Sequence, residues 1–152
     1  MRRSPILILG LAAGLAASAL AFAHGASGAG EPASPTAATR TVEVEMYDAD
    51  GKMGFRPDRL EVARGAVVKF VVHNGGATTH EFVVGDAAEN AAHKRMMEQM
   101  PDMRHNDANA RTLEAGASTT LAWRFSHKGE FEFACLLPVH YEAGMHGVVV
   151  VK

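Results

Sequence analysis

Two strand-like runs near the C-terminus bracket eleven residues that constrain the chain more than any other stretch, Cys135-Leu136-Leu137-Pro138-Val139-His140-Tyr141-Glu142-Ala143-Gly144-Met145. Phe131-Glu132-Phe133-Ala134-Cys135 alternates apolar with other residues, the period of a half-buried strand. Val148-Val149-Val150-Val151 is β-branched throughout and reads as another strand. A thiol, an imidazole and a thioether therefore stand on, or at the lip of, one short loop, at spacings of five and five. Period two puts Phe131, Phe133 and Cys135 on one face, so the thiol points where two core phenylalanines point. Pro138 restricts the loop backbone, and Gly144 admits an unusual backbone angle beside Met145.

A thiolate, an imidazole and a thioether are soft or borderline metal ligands. One more imidazole completes a trigonal His₂Cys site with a weak axial Met, the arrangement that goes with copper in electron-transfer proteins. His80, heading the strand-like run Thr79-His80-Glu81-Phe82-Val83, is the best candidate for it. The site expected is then His80, Cys135, His140 and Met145, holding one copper ion. Zinc is the rival metal, because His₂Cys plus a fourth ligand can be tetrahedral zinc. A thioether is a poor zinc ligand, which favours copper. Cys135 is the only cysteine in the chain. In an exported protein an odd cysteine is a reactive thiol, an intermolecular bridge or a metal ligand, and its neighbours here favour the metal. The alternative is a buried structural cysteine.

These residues resemble the cupredoxin, or blue-copper, family over roughly residues 41–152. The pattern matches residue by residue, with His80 upstream, Cys135 as thiolate, His140 in the loop and Met145 as axial ligand. Met53-Gly54-Phe55-Arg56-Pro57 and His80-Glu81-Phe82 are similar to a bacterial branch associated with copper handling and tolerance. The resemblance implies a Greek-key sandwich with a type-1-like copper at one end. In multicopper oxidases histidines flank the cysteine and connect it to a second copper centre. Here Ala134 and Leu136 flank Cys135, so that relay is missing. No Ser-His-Asp arrangement, phosphate loop or carboxylate pair stands out either. The expected protein is not an enzyme.

The N-terminus reads as a targeting segment. Arg2 and Arg3 form a basic start, Ile6 to Ala21 is almost wholly apolar or small, and Ala21-Phe22-Ala23 is an A-x-A cleavage site. The expected division is a signal peptide over 1–23, a flexible linker over 24–40 rich in Gly, Ala, Ser, Pro and Thr, and a cupredoxin domain over 41–152. The twin arginines admit Tat as well as Sec export. The expected location is the periplasm, with no stable membrane insertion after cleavage. Removing residues 1–23 takes away two arginines and moves the formal charge from −2 to −4. No Lys/Arg cluster points to nucleic acid or anionic lipid. The expected partners are a copper ion and a redox partner or copper-transport protein, with the chain itself a monomer. Copper handling and electron shuttling share one site and differ in partner, so both readings stand.

The rest of the chain reads as all-β with one inserted helix. Thr41–Tyr47 alternates, with Val42, Val44 and Met46 inward. Asp48-Ala49-Asp50-Gly51 is a turn. Strands follow over Arg59–Ala63, Ala66–Val72, Glu81–Val84 and Thr119–Phe125. The second of these is apolar on both faces, as a central strand would be. Asp86 and Glu89 have capping-box spacing at the head of a helix of good formers that Pro101 stops. Asp102–Arg111 is a polar loop. Several short strands with turn signals predict a Greek-key β-sandwich with one helix.

That helix and its exit carry His93, Met96, Met97, Met100, Met103 and His105. His93, Met96, Met97 and Met100 fall at i, i+3, i+4 and i+7 and share one face. Three readings stand: an apolar face packed on the sandwich, a thioether and imidazole site for Cu(I), or a docking surface beside the copper. His24, the residue a cut after Ala23 would expose, could chelate Cu(II) through its amine and imidazole, or be a cleavage-site neighbour without function. His73 and His127 read as exposed or hydrogen-bonded, and His146 as a neighbour of the loop rather than a ligand.

Overall fold

A computed structural model describes residues 27–152. The signal-peptide segment 1–23 and His24 lie outside the described residues.

Alternation in the sequence becomes two five-stranded sheets. The first has the order β1 (Gly30–Pro32), β8 (Ser118–Phe125), β5 (Val67–Asn74), β2 (Arg40–Ala49) and β3 (Lys52–Arg56). The second has the order β4 (Arg59–Val62), β10 (His146–Val151), β9 (Gly129–Ala134), β6 (His80–Gly85) and β7 (Ala110–Leu113). β5 lies at the centre of its sheet, as its two apolar faces predict. It runs parallel to β2 and antiparallel to β8. β10 is antiparallel to β9 and parallel to β4. The fold is the expected Greek-key sandwich.

Its core is aromatic. Phe55, Phe70, Phe82, Phe125, Phe131 and Phe133 are buried together with Trp123. Phe55 meets Phe133 edge to face at 5.2 Å, a favoured geometry for two ring quadrupoles. Cys135 and Met145 belong to this cluster, so both ends of the loop between β9 and β10 are anchored in the core.

Among the described residues the one α-helix, α1 (Ala87–Gln99), starts on Asp86, whose side chain accepts from the Glu89 N–H while the Glu89 side chain accepts from the Asp86 N–H. This is the capping box expected from the sequence. Met97 is fully buried and anchors α1 in a second cluster with Val83, Ala110, Ala134 and Leu136.

Four elements differ from expectation, the first being β3 at Lys52–Arg56, where no strand is expected. Part of the expected flexible linker is ordered structure: Gly30–Pro32 pairs antiparallel with β8, Ala29 is fully buried, and Pro35–Ala37 forms a 3₁₀ turn. Low apolar content concealed a strand held mostly by main-chain bonds on an edge. Asp48 and Ala49, read as turn, continue β2, and the turn falls at Asp50–Gly51 before β3. The polar loop after α1 ends in β7, which pairs with β6.

Candidate metal centre

Three of the four expected donors converge at one end of the sandwich. His80 opens β6, Cys135 follows β9 directly, and His140 sits in the turn between β9 and β10. His80 Nδ1 and His140 Nδ1 are 3.2 Å apart, and Cys135 Sγ is 3.3 Å from His140 Nδ1. All three donor atoms lie within 4.8 Å of one another. Met145, the fourth, is fully buried in the same cluster as Cys135.

Main-chain hydrogen bonds hold the loop in shape. The Cys135 N–H donates to the Met145 carbonyl, the Met145 N–H to the His140 carbonyl and the His140 N–H to the Leu137 carbonyl. Gly144 adopts φ +105°, the freedom expected beside Met145. Val139 adopts φ +67°, which is strained for a β-branched side chain. It is also 73 % exposed, so an apolar side chain stands beside the partly exposed His140.

The sulfur is prepared by burial. Desolvation pushes the Cys135 thiol up to about 12, opposed by the Glu81 and Leu137 N–H groups. Without a metal the group is a neutral thiol at neutral pH, and only a bound cation makes it a thiolate there. The Glu81 N–H donates to Sγ at 3.2 Å, a bond that strengthens with negative charge on sulfur.

The imidazoles are neutral for a related reason. Burial lowers His80, with the Asp48 carboxylate opposing, and burial followed by the nearby His80 lowers His140. Asp48 fixes the His80 tautomer. Its carboxylate accepts from the Ala77 N–H at 2.6 Å, the Thr78 N–H at 3.0 Å and the Thr78 hydroxyl at 2.6 Å. These bonds, the Thr78 hydroxyl first, hold its carboxyl down to about 2. The anion then accepts from His80 Nε2–H at 3.1 Å, leaving Nδ1 as a lone pair aimed at Cys135 and His140. Nothing in the residue pattern marks this role, because Asp48 sits in what reads as a turn. The donor set fits copper: one thiol that a cation must deprotonate, two imidazoles presenting lone pairs, and a buried thioether.

The helix residues separate. His93 Nε2 and His105 Nε2 meet at 3.0 Å, and Met97 Sδ lies 3.4 Å from His105 Nε2. Met103 packs against the Met97 cluster, whereas Met100 is 43 % exposed. Glu81, not among the expected metal ligands, completes a group with His93 and His105. Its signal was available: a carboxylate inside a strand whose other members are almost all apolar. Of the other histidines, His73 is exposed and bonds Ser118, His127 is exposed, and His146 stacks on Tyr141.

A two-sheet Greek-key sandwich with a thiol, two imidazoles and a thioether gathered at one end defines a cupredoxin compatible with a type-1 copper. The chain belongs to the plastocyanin/azurin family of copper binding proteins, whose description matches residues 42–152. It is 49 % identical over 123 residues to the copper-resistant cuproprotein CopI of Rubrivivax gelatinosus, covering 81 % of this chain and 73 % of that protein. It is 34 % identical over 176 residues to the copper-resistant cuproprotein CopI of Pseudomonas aeruginosa, covering 97 % of this chain and 94 % of that one. Among solved structures, auracyanin B superposes with a TM-score of 0.64 at 25 % identity, covering 86 % of this chain and 98 % of that chain.

Proposed function

We propose that this chain is an exported, non-catalytic cupredoxin that serves copper tolerance, in which His80 Nδ1, Cys135 Sγ, His140 Nδ1 and Met145 would hold one copper. The observation that carries the site is the convergence of three donor atoms within 4.8 Å, one of them a buried thiol. The similarity to copper-resistant cuproproteins over most of the chain supports the tolerance role. The basic, apolar and A-x-A segments of residues 1–23 support export to the periplasm. Among the described residues no helix is long and apolar enough to cross a membrane.

Bound copper would supply a one-electron Cu(II)/Cu(I) couple. The chain's own part is to present two neutral imidazoles, surrender one thiol proton and keep water from the sulfur. A site anchored in a packed core moves little, which favours a short list of ligand geometries.

Electron shuttling is the second reading. The exposed Val139 beside His140 favours it, because it offers an apolar contact next to a ligand edge. The test is growth on copper of a strain lacking this protein, complemented by wild type or by Cys135→Ser. Restored tolerance with wild type and not with Cys135→Ser is expected. Equal growth of all strains on copper, with a respiratory or other redox defect instead, would select the shuttle.

A further inference from the structure

β6 is buried on both faces, and its faces lead to different places. Phe82 and Val84 belong to the sandwich core, and His80 is fully buried on that side. Val83 belongs to the cluster under α1, and Glu81 shares its face by period two. Glu81 is fully buried, and neither carboxylate oxygen has a hydrogen-bond partner. Its Oε1 lies 3.7 Å from His105 Nε2, too long for a hydrogen bond. Burial pushes the Glu81 carboxyl up, opposed first by the nearby His105; the Leu136 N–H and Thr112 oppose it too, but neither bonds it well. A buried carboxyl group with neither oxygen partnered is costly in either protonation state and calls for an explanation.

The groups facing it supply one. His105 donates from Nδ1 to Asp107 Oδ2 at 2.8 Å, so its Nε2 carries a lone pair. That lone pair points at His93 Nε2, 3.0 Å away, with Met97 Sδ at 3.4 Å. The two imidazole nitrogens and the carboxylate oxygen lie within 4.8 Å of one another. A histidine pair bonded only to itself would satisfy the rings and leave both Glu81 oxygens without a partner. A cation would satisfy all three groups.

We propose that Glu81, His93 and His105 form a second copper site on the helix side of β6, with Met97 at its edge and Asp107 orienting His105. Two imidazoles and a carboxylate suit Cu(II), and the adjacent thioether suits Cu(I), so the set favours copper over harder ions. The donor side chains of the two sites are separate. The sites meet on β6, where His80 and Glu81 are adjacent and the Glu81 N–H donates to Cys135 Sγ.

The test uses the exported full chain carrying His24→Ala, which removes the N-terminal imidazole as a competing ligand. Copper bound per chain is measured by dialysis, together with the electron paramagnetic resonance and visible spectra of the Cu(II) form. Two copper ions per chain are expected, the second giving an axial signal with nitrogen couplings and no thiolate band. His93→Ala and His105→Ala should each remove that signal and one equivalent of copper while leaving the thiolate band at full intensity, which also reports an intact fold. Asp107→Asn should weaken the second site about 10–100-fold, the usual effect of losing an outer partner of a ligating histidine. Cys135→Ser should lose the band and keep the second signal, so failure at one site is distinguishable from failure at the other. One copper per chain in the parent, or the same stoichiometry and signals in His93→Ala and His105→Ala, overturns the proposal. Zinc displacing copper from the second site at equal concentration overturns its assignment to copper.

Discussion

Asp48 decides which nitrogen of His80 faces the metal site. Its anion holds Nε2–H at 3.1 Å and is itself held by Ala77 and Thr78. Asp48→Asn keeps the shape and loses the charge, and an amide nitrogen or a weaker acceptor then faces donors. The expected cost to the metal-free protein is about 1–3 kcal/mol at neutral pH, read from urea unfolding. The folded carboxyl is depressed from 3.8 to about 2. Such a group contributes stability above about pH 4 and loses it as the pH falls toward about 2, so the gap between wild type and variant should close over that window. A gap independent of pH would mean that the charge is not what stabilises. Val139 raises a different matter, since a β-branched residue at φ +67° is strained. Asn tolerates that conformation, so Val139→Asn should stabilise the metal-free chain by about 1 kcal/mol. An unchanged or lower urea midpoint would show that the loop relaxes without it.

At the scale of elements, the strands with clear alternation and the capped helix were legible because burial and capping leave periodic marks. β1 and β7 left none. Both are short strands at sheet edges, held largely by main-chain hydrogen bonds that any sequence can make. The convergence of Cys135 and His140 was legible because a thiol and an imidazole are rare side chains and stand at short spacing, whereas Asp48 and Glu81 act across strands and only the fold reveals what they face. β1 carries its own test. Gly30 has φ +138°, and a Cβ there would lie 1.9 Å from the Arg124 carbonyl oxygen. Gly30→Ala should therefore detach β1 from β8 and cost about 1–3 kcal/mol, with faster amide exchange along the exposed β8 edge. Unchanged exchange at Trp123–Phe125 would show that β1 is dispensable to that edge.

The whole molecule sets a packed sandwich behind the loop and a helix across β6. Trp123, Phe70, Phe82 and Phe133 are fully buried and give the site a rigid floor. Cys135 is continuous with that floor, so the thiol is dry and stays protonated until a cation arrives. Copper binding at this site therefore depends on one sulfur. Its most direct test is the visible spectrum of the Cu(II)-loaded chain beside that of Cys135→Ser, with zinc offered in competition. An intense thiolate-to-copper band in the wild type, absent from Cys135→Ser and retained in the presence of equimolar zinc, is the predicted result. A colourless wild type that takes zinc far better than copper, or a band that survives Cys135→Ser, would contradict it.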